Sequence, residues 1–257
     1  MALPVLYMII PLFNEEPNVG ALLESLKSLV RDISSEVTVF VLFVDDGSSD
    51  NTVSLLEKQG QAVPHTILKH SRNRGPGYAF GTAFEYLSDK LNPDDRVLTM
   101  EGDNTSEIKT IEHMLVRRKE GYDVVMASPY LYSGGFSHVT LFRLVISHIA
   151  NGLVRIILGI RGLVTFSCFL RLYTGEIIIK LQKRYGPRII RYAGFESMVE
   201  LLAKLTLVKA RISEVETKVD WGKRKGKRKM KIIKTSFGYL KLFVNWPKLK
   251  RTVLQRH

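Results

Sequence analysis

Two acidic loops hold the residues whose types and spacing best suit chemistry. The run Val44-Asp45-Asp46-Gly47-Ser48-Ser49-Asp50-Asn51-Thr52 puts two adjacent carboxylates where an apolar strand would turn into a helix. Glycine permits the tight backbone there, and Asp50 or Ser49 can cap the helix that follows. A capped turn accounts for Gly47 to Thr52 but not for the paired acids, which can accept hydrogen bonds from a base or a ribose. Glu101-Gly102-Asp103-Asn104 then sets two hard oxygen ligands one residue apart, beside another helix start. Mg2+ or Mn2+ held by one or two carboxylates plus substrate phosphates calls for such a pair. The expected chemistry is metal-assisted and acts on a phosphorylated, nucleotide-activated substrate.

Other phosphate and catalytic motifs fail on inspection. The chain has no G-x-x-x-x-G-K-[ST], and Gly75, Gly77 and Gly81 miss the dinucleotide spacing by one residue. The six histidines lack metal-ligand spacing, and no Ser or Cys lies in a nucleophile elbow. Cys168, the single cysteine, sits in an apolar run and is expected to be a buried packing thiol in a reducing, cytosolic compartment.

Something must hold the two loops together. Short runs rich in Val, Ile and Leu alternate with helical patterns through the first half, the pattern of a mostly parallel sheet with helices on both faces. Leu6–Leu12, Val37–Val44, Thr66–Lys69, Arg96–Met100 and Asp123–Ala127 are the expected strands. Between the first two, Val19, Leu22, Leu23, Leu26, Leu29 and Val30 recur at helical spacing, with Asn14 positioned to cap. Ligands in such sheets bind beyond the carboxyl ends of the strands, where Asn14, Asp45, Asp46 and Asp103 all fall. The run from Pro4 to Leu12 lacks a basic lead and is followed by acids, so it reads as a strand and not a signal peptide.

The second half differs in character. From Thr140 to Ile160 the chain is mostly apolar, but Arg143, Ser147, Asn151 and Arg155 recur every four residues as a polar stripe on one helix face. Its longest stretch without Lys or Arg is the 11 residues from Leu144 to Val154, short of the roughly 18 to 20 that span a bilayer. A membrane-interface position is expected ahead of a core one, with Gly162–Leu170 as a second surface element, so that residues 136–170 form amphipathic interface helices. Charge separates the same way. Residues 218–257 carry 14 Lys/Arg and one acid, Asp220, leaving 24 bases and 24 acids in residues 1–217. The expected division is a catalytic domain over 1–217 and a basic, membrane-associating segment over 218–257. Aromatics among the final lysines (Phe237, Tyr239, Phe243, Trp246) suit a headgroup boundary. The cationic segment should meet an anionic membrane surface or substrate phosphates and no nucleic acid, since the strand-end acids would repel a polyanion.

Together these runs resemble a known family. Ile10-Pro11-Leu12-Phe13-Asn14-Glu15, the Asp45-Asp46 loop and Glu101-Gly102-Asp103 in the place of a D-x-D motif look like family 2 glycosyltransferases of the GT-A (nucleotide-diphospho-sugar transferase) fold. Arg143 with Ser147 and Asn151, Ser167 to Tyr173, and Asp220-Trp221 followed by Arg224, Gly226 and Lys229-Met230 are most similar to the dolichyl-phosphate mannose synthase group of polyprenyl-phosphate glycosyltransferases. The resemblance implies that Pro11, Asn14, Glu15, Asp45, Asp46 and Gly102 serve the nucleotide. It implies that Glu101 and Asp103 hold Mg2+ or Mn2+, and that Arg143, Arg224 and Lys229 meet the acceptor phosphate. The chain departs from that group at Pro129, where an arginine is usual, at Val164, near which an acid is missing, and at Arg228, which replaces a serine.

The implied activity is an inverting hexosyltransferase using GDP-mannose or UDP-glucose and a polyprenyl phosphate, peripheral on the cytoplasmic face of a membrane. The alternative is single addition to a glycan hydroxyl in surface-polysaccharide assembly. A hydroxyl acceptor needs a general base, whereas a phosphate monoester, with a second pKa of about 6, is largely ionised at neutral pH. Glu196 and Glu200 are the evident acids at the helix expected over Phe195–Leu205.

Overall fold

A computed structural model describes residues 3–226 and 238–247 of the chain, apart from the side chains of Phe142, Arg143 and Ile146. The chain alternates strand and helix: β1 (Val5–Leu12), α1 (Glu16–Ile33), β2 (Thr38–Asp45), α2 (Thr52–Gln59), β3 (His65–Lys69), α3 (Pro76–Tyr86), β4 (Arg96–Thr99), α4 (Thr110–Lys119) and β5 (Val124–Ser128). There follow β6 (Gly135–Ser137), α5 (Leu141–Leu158), β7 (Arg171–Thr174), α6 (Gly175–Tyr185), α7 (Ser197–Leu207), β8 (Ile212–Glu216), β9 (Lys218–Asp220) and a helix, α8, over 238–247.

The main sheet runs β3-β2-β1-β4-β7-β5-β8. Every pairing is parallel except those of β7, which is antiparallel to both β4 and β5. Side chains alternate across it: in β1, Ile9 enters one core with Phe80, Phe84 and Leu201, while Leu6, Met8, Ile10 and Leu12 enter the other with Leu22, Leu26 and Ile111. Both faces are buried, which is why these strands are nearly continuous apolar runs. Strand order reverses between β1 and β4, and that switch point brings the loops after both strands to one crevice.

The region after β5 shows three arrangements that the sequence pattern left open or placed elsewhere. Helix α5 forms with Asn151 buried and Ser147 sharing a hydrogen bond with the Tyr130 hydroxyl, while Arg155, at the far end of the same stripe, is exposed. Outward point Leu141 (80% exposed), Val145 (55%), Ile149 (58%), Leu153 (51%) and Ile156 (78%). Second, Gly162–Leu170 is no surface element, because Leu163, Phe166, Phe169 and Leu170 are buried beside the sheet. Third, α8 packs Leu242 and Trp246 into the core, leaving Leu240 and Val244 exposed. Among the described residues, no helix is long and apolar enough to cross a membrane.

Candidate active site

The β1–α1 and β2–α2 turns exchange their helix caps. Asn14, held at φ 50°, does not cap α1; its side-chain oxygen accepts from the Ser49 N–H (2.8 Å) and its own N–H donates to Ser48 Oγ (2.9 Å). The first N–H groups of α1 are met from the opposite turn, Glu15 by Thr52 Oγ1 (2.8 Å) and Glu16 by Asp50 (3.2 Å). Glu16 in return accepts from the Asn51 N–H (3.1 Å) at the start of α2. Each helix end leaves orphan donors, and crossing the caps fixes the two turns against one another. Pro11 lies opposite Val44 in the β1–β2 register, just before these turns.

The two adjacent acids have separate duties. Asp45 ends β2, is buried, and accepts from the Ser48 N–H. Asp46 is buried and heavily engaged, by His70 Nδ1 (2.8 Å) and by the N–H groups of Arg74 (3.0 Å) and Gly75 (2.7 Å). It organises the loop leading into α3. That loop passes so close to Gly47 (φ 76°) that a Cβ there would lie 2.5 Å from the Arg72 carbonyl carbon.

Beyond β4 the chain bends flat over β1, because Gly102 has no side chain: a Cβ would meet Leu12 Cδ2 at 2.2 Å. Glu101 and Asp103 therefore stand at the crevice. Asp103 is buried and accepts from the Thr105 hydroxyl (2.7 Å), while its other oxygen faces Arg224 Nη1 at 3.4 Å. Glu101 accepts from Ser106 Oγ (3.1 Å). Burial, and then the charge of Asp103, push the Glu101 carboxyl up to about 7. A divalent cation beside two crowded carboxylates would relieve that repulsion, and one or two carboxylates completed by phosphate oxygens is an ordinary Mg2+ or Mn2+ set. Glu101 and Asp103 could supply the two protein carboxylates of such a set.

A small second sheet carries Arg224 to this place. β6 and β9 pair in parallel, Val219 bridges to Ser106, and the Asp220 N–H donates to the Thr105 carbonyl (2.9 Å). Asp220 also meets His138 Nδ1 at 2.7 Å, which holds its carboxyl below the usual range. Arg143 lies in the first turn of α5, with its side chain outside the described residues; Lys229 and Arg228 lie wholly outside them.

Several residues that the sequence reading passed over support the site. Asn18, 1% exposed, links the 221–226 loop to α1. Arg171 is fully buried and donates to the backbone carbonyls of Cys168 (2.9 Å), Phe166 (2.7 Å) and Met198 (2.9 Å), tying β7 to α7. The turn at Val164 does carry an acid, supplied from β8: Glu214 accepts from the N–H groups of Val164 and Thr165, both at 2.8 Å. Glu200 is buried and paired with Lys204, and it accepts from the Arg191 and Tyr192 N–H groups. Glu196 is buried against Gly194 and the start of α8. Neither acid is the exposed helix charge that position alone suggests.

Comparison with known proteins agrees with this geometry. Residues 7–189 match the family model described as glycosyl transferase family 2. Curated relatives include undecaprenyl-phosphate 4-deoxy-4-formamido-L-arabinose transferases of Serratia proteamaculans (strain 568), 29% identical over 175 residues, and of Proteus mirabilis (strain HI4320), 27% identical over 173. Each alignment covers 66% of this chain and 49% of the relative, so the chain spans about half the length of the curated relatives it matches. Among solved structures, glucosyl-3-phosphoglycerate synthase of Mycobacterium tuberculosis superposes with a TM-score of 0.62 at 14% identity, over 96% of this chain and 80% of that one. The same enzyme with Mn2+, uridine diphosphate and glucosyl-3-phosphoglycerate gives 0.60 at 13%, over 96% and 80%. S. aureus TarS 1-349 with UDP-GlcNAc gives 0.54 at 21%, over 88% of this chain and 60% of that one. The sheet order, the crossed turns and the family match lead to one assignment: the chain has a GT-A fold and belongs to glycosyl transferase family 2.

Proposed function

We propose that the protein is an inverting, metal-dependent hexosyltransferase, a mannosyltransferase or glucosyltransferase. It would move the sugar from GDP-mannose or UDP-glucose to a polyprenyl (dolichyl-type) phosphate at the cytoplasmic face of a membrane. The observation that carries this reading is the meeting of the acidic loop with the cationic loop, Asp103 against Arg224 at 3.4 Å, at the switch point of the sheet.

In this reading Pro11, Asn14, Glu15 and Asp45 line the nucleotide side, and Asp46 supports them by holding the loop before α3. Gly102 allows the loop to lie close to the diphosphate. Glu101 and Asp103 would hold Mg2+ or Mn2+, which would neutralise charge on the departing nucleoside diphosphate. Arg224, with Arg143 and Lys229, would orient the acceptor phosphate so that its ionised oxygen attacks the anomeric carbon from the face opposite the leaving group. Such an acceptor needs positioning by cations and no base.

The engagement of the nearby acids supports a phosphate over a hydroxyl acceptor. Glu200 is spent on Lys204 and two backbone N–H groups, and Glu196 is enclosed by Gly194 and Gly238. The curated relatives are transferases named for undecaprenyl phosphate, which favours a polyprenyl-phosphate acceptor here as well. The outward apolar row of α5 supports a peripheral membrane position: an inverted amphipathic helix exposes the face that a lipid interface would take up.

A screen of GDP-mannose, UDP-glucose, UDP-N-acetylhexosamines and formamido-arabinosyl nucleotides against a polyprenyl phosphate tests the reading. The expected product is a lipid-extractable, acid-labile sugar phosphate. Transfer to a glycan hydroxyl, with none to the lipid phosphate, would refute it.

A further inference from the structure

Three loops converge on one small amide. Asn18 lies in the first turn of α1, where its Nδ2 donates to Glu15 Oε2 (2.6 Å) and to the Lys225 carbonyl (2.9 Å), and its Oδ1 accepts from the Lys225 N–H (3.0 Å). Its backbone carbonyl accepts from Asn104 Nδ2 (3.0 Å), in the loop that carries Glu101 and Asp103. A primary amide offers the same donor and acceptor as a peptide group, so Asn18 pairs with Lys225 as a neighbouring strand would, across 207 residues of sequence. The pairing involves only backbone atoms of Lys225 and is therefore blind to that side chain. It does fix the residue beside it, Arg224, whose side chain reaches Asp103 and is itself mostly enclosed, at 13% exposure.

We propose that Asn18 is a positioning residue that straps the 221–226 loop across the donor end of the sheet and so holds Arg224 in register with the reacting phosphates. Glu15 aligns the amide, and the amide aligns the loop. Asn18 touches no reacting atom; it acts through Arg224. The inference rests on the donor-site reading above, but the strap itself is a structural claim that can be judged without a substrate.

The test uses the full chain and two variants, Asn18→Ala and Asn18→Leu. Leucine keeps the size but can neither donate to the Lys225 carbonyl nor accept from its N–H. Hydrogen exchange read on peptides covering 218–226 should show the Lys225 N–H exchanging about 10-fold faster or more in both variants, the scale expected for losing a buried pair of hydrogen bonds. The Asp220 and Trp221 N–H groups, bonded to Thr105 and Ser137, should keep their rates. The second readout is a double-mutant cycle with Arg224→Ala on kcat/KM. The Arg224 penalty should be about 10-fold or larger in the parent and should fall below about 3-fold beside Asn18→Ala, since coupled residues are not additive.

Unchanged exchange at Lys225, or an equal Arg224 penalty in both backgrounds, would overturn the proposal. If Asn18→Ala does not fold, Asn18→Leu carries both readouts. Should the exchange change as expected while no nucleotide sugar is consumed by any variant, the strap stands and the donor reading falls.

Discussion

Glu101→Gln should stabilise the metal-free protein at alkaline pH, and the size of the effect follows from the crowding of Glu101 and Asp103. The Glu101 carboxyl rises from its ordinary 4.5 to about 7 through burial first and the Asp103 charge second. The folded protein thus holds this proton more tightly than the unfolded chain does. Its contribution is fully present below about pH 4.5, declines as pH rises through 4.5 to about 7, and is lost above that. A displacement from 4.5 to about 7 corresponds to about 3 kcal/mol at about 1.4 kcal/mol per pKa unit, and partial solvent access reduces it toward about 2 kcal/mol. Glutamine is neutral throughout and can still accept from Ser106, so it avoids the decline. Denaturant unfolding in EDTA at several pH values should therefore give equal stabilities near pH 4.5 and an advantage of about 2 kcal/mol for the Glu101→Gln variant by pH 8. Saturating Mn2+ should erase or reverse that advantage, because the ion benefits the carboxylate and not the amide. A stability difference that stays flat from pH 4.5 to 8 would refute the reasoning.

Other expectations follow from the same structure. Arg171→Met should cost about 3–5 kcal/mol, read as a fall in the denaturant midpoint, because three buried carbonyls lose their donor. Ile149→Asp together with Leu153→Asp should reduce flotation with anionic vesicles by about 10-fold or more, with the melting temperature unchanged, since both side chains are exposed in the free protein. Gly102→Ala should lower turnover by at least about 10-fold, because its methyl would drive the acidic loop off Leu12. Burial pushes the Cys168 thiol up to about 11, so alkylation at pH 8 should be slow in the folded protein and fast after unfolding.

The sheet was legible in the sequence because strands buried on both faces must be apolar throughout, and β1 to β5 fall within one or two residues of their expected places. The acidic loops were legible for a related reason: strand ends are where apolar runs stop, and acids there have no packing role. The relations between loops were not legible. Nothing in Asn14 says that it would bind Ser49 instead of its own helix, because capping across turns depends on β1 and β2 being neighbours. Likewise Asn18 and Lys225 are 207 residues apart, and an Asn in the first turn of a helix is ordinary until the second sheet delivers its partner. Periodicity located the amphipathic α5 but not its direction. Ser147 and Asn151 in the middle of the stripe face Tyr130, a contact no helical wheel contains, and the apolar row is left outside. In α8, Trp246 and Leu242 pack into the core with Tyr239 and Phe243 partly buried against it, an arrangement that composition cannot reveal.

The most direct test of the account is transfer by Asp103→Ala, measured beside the parent chain with a labelled nucleotide sugar, Mn2+ and a polyprenyl phosphate. Asp103 is the point where acid loop and cationic loop meet. The account predicts that the parent forms a lipid-extractable sugar phosphate and that an Asp103→Ala protein, its fold checked by circular dichroism, forms none. Normal turnover by that folded variant would contradict it.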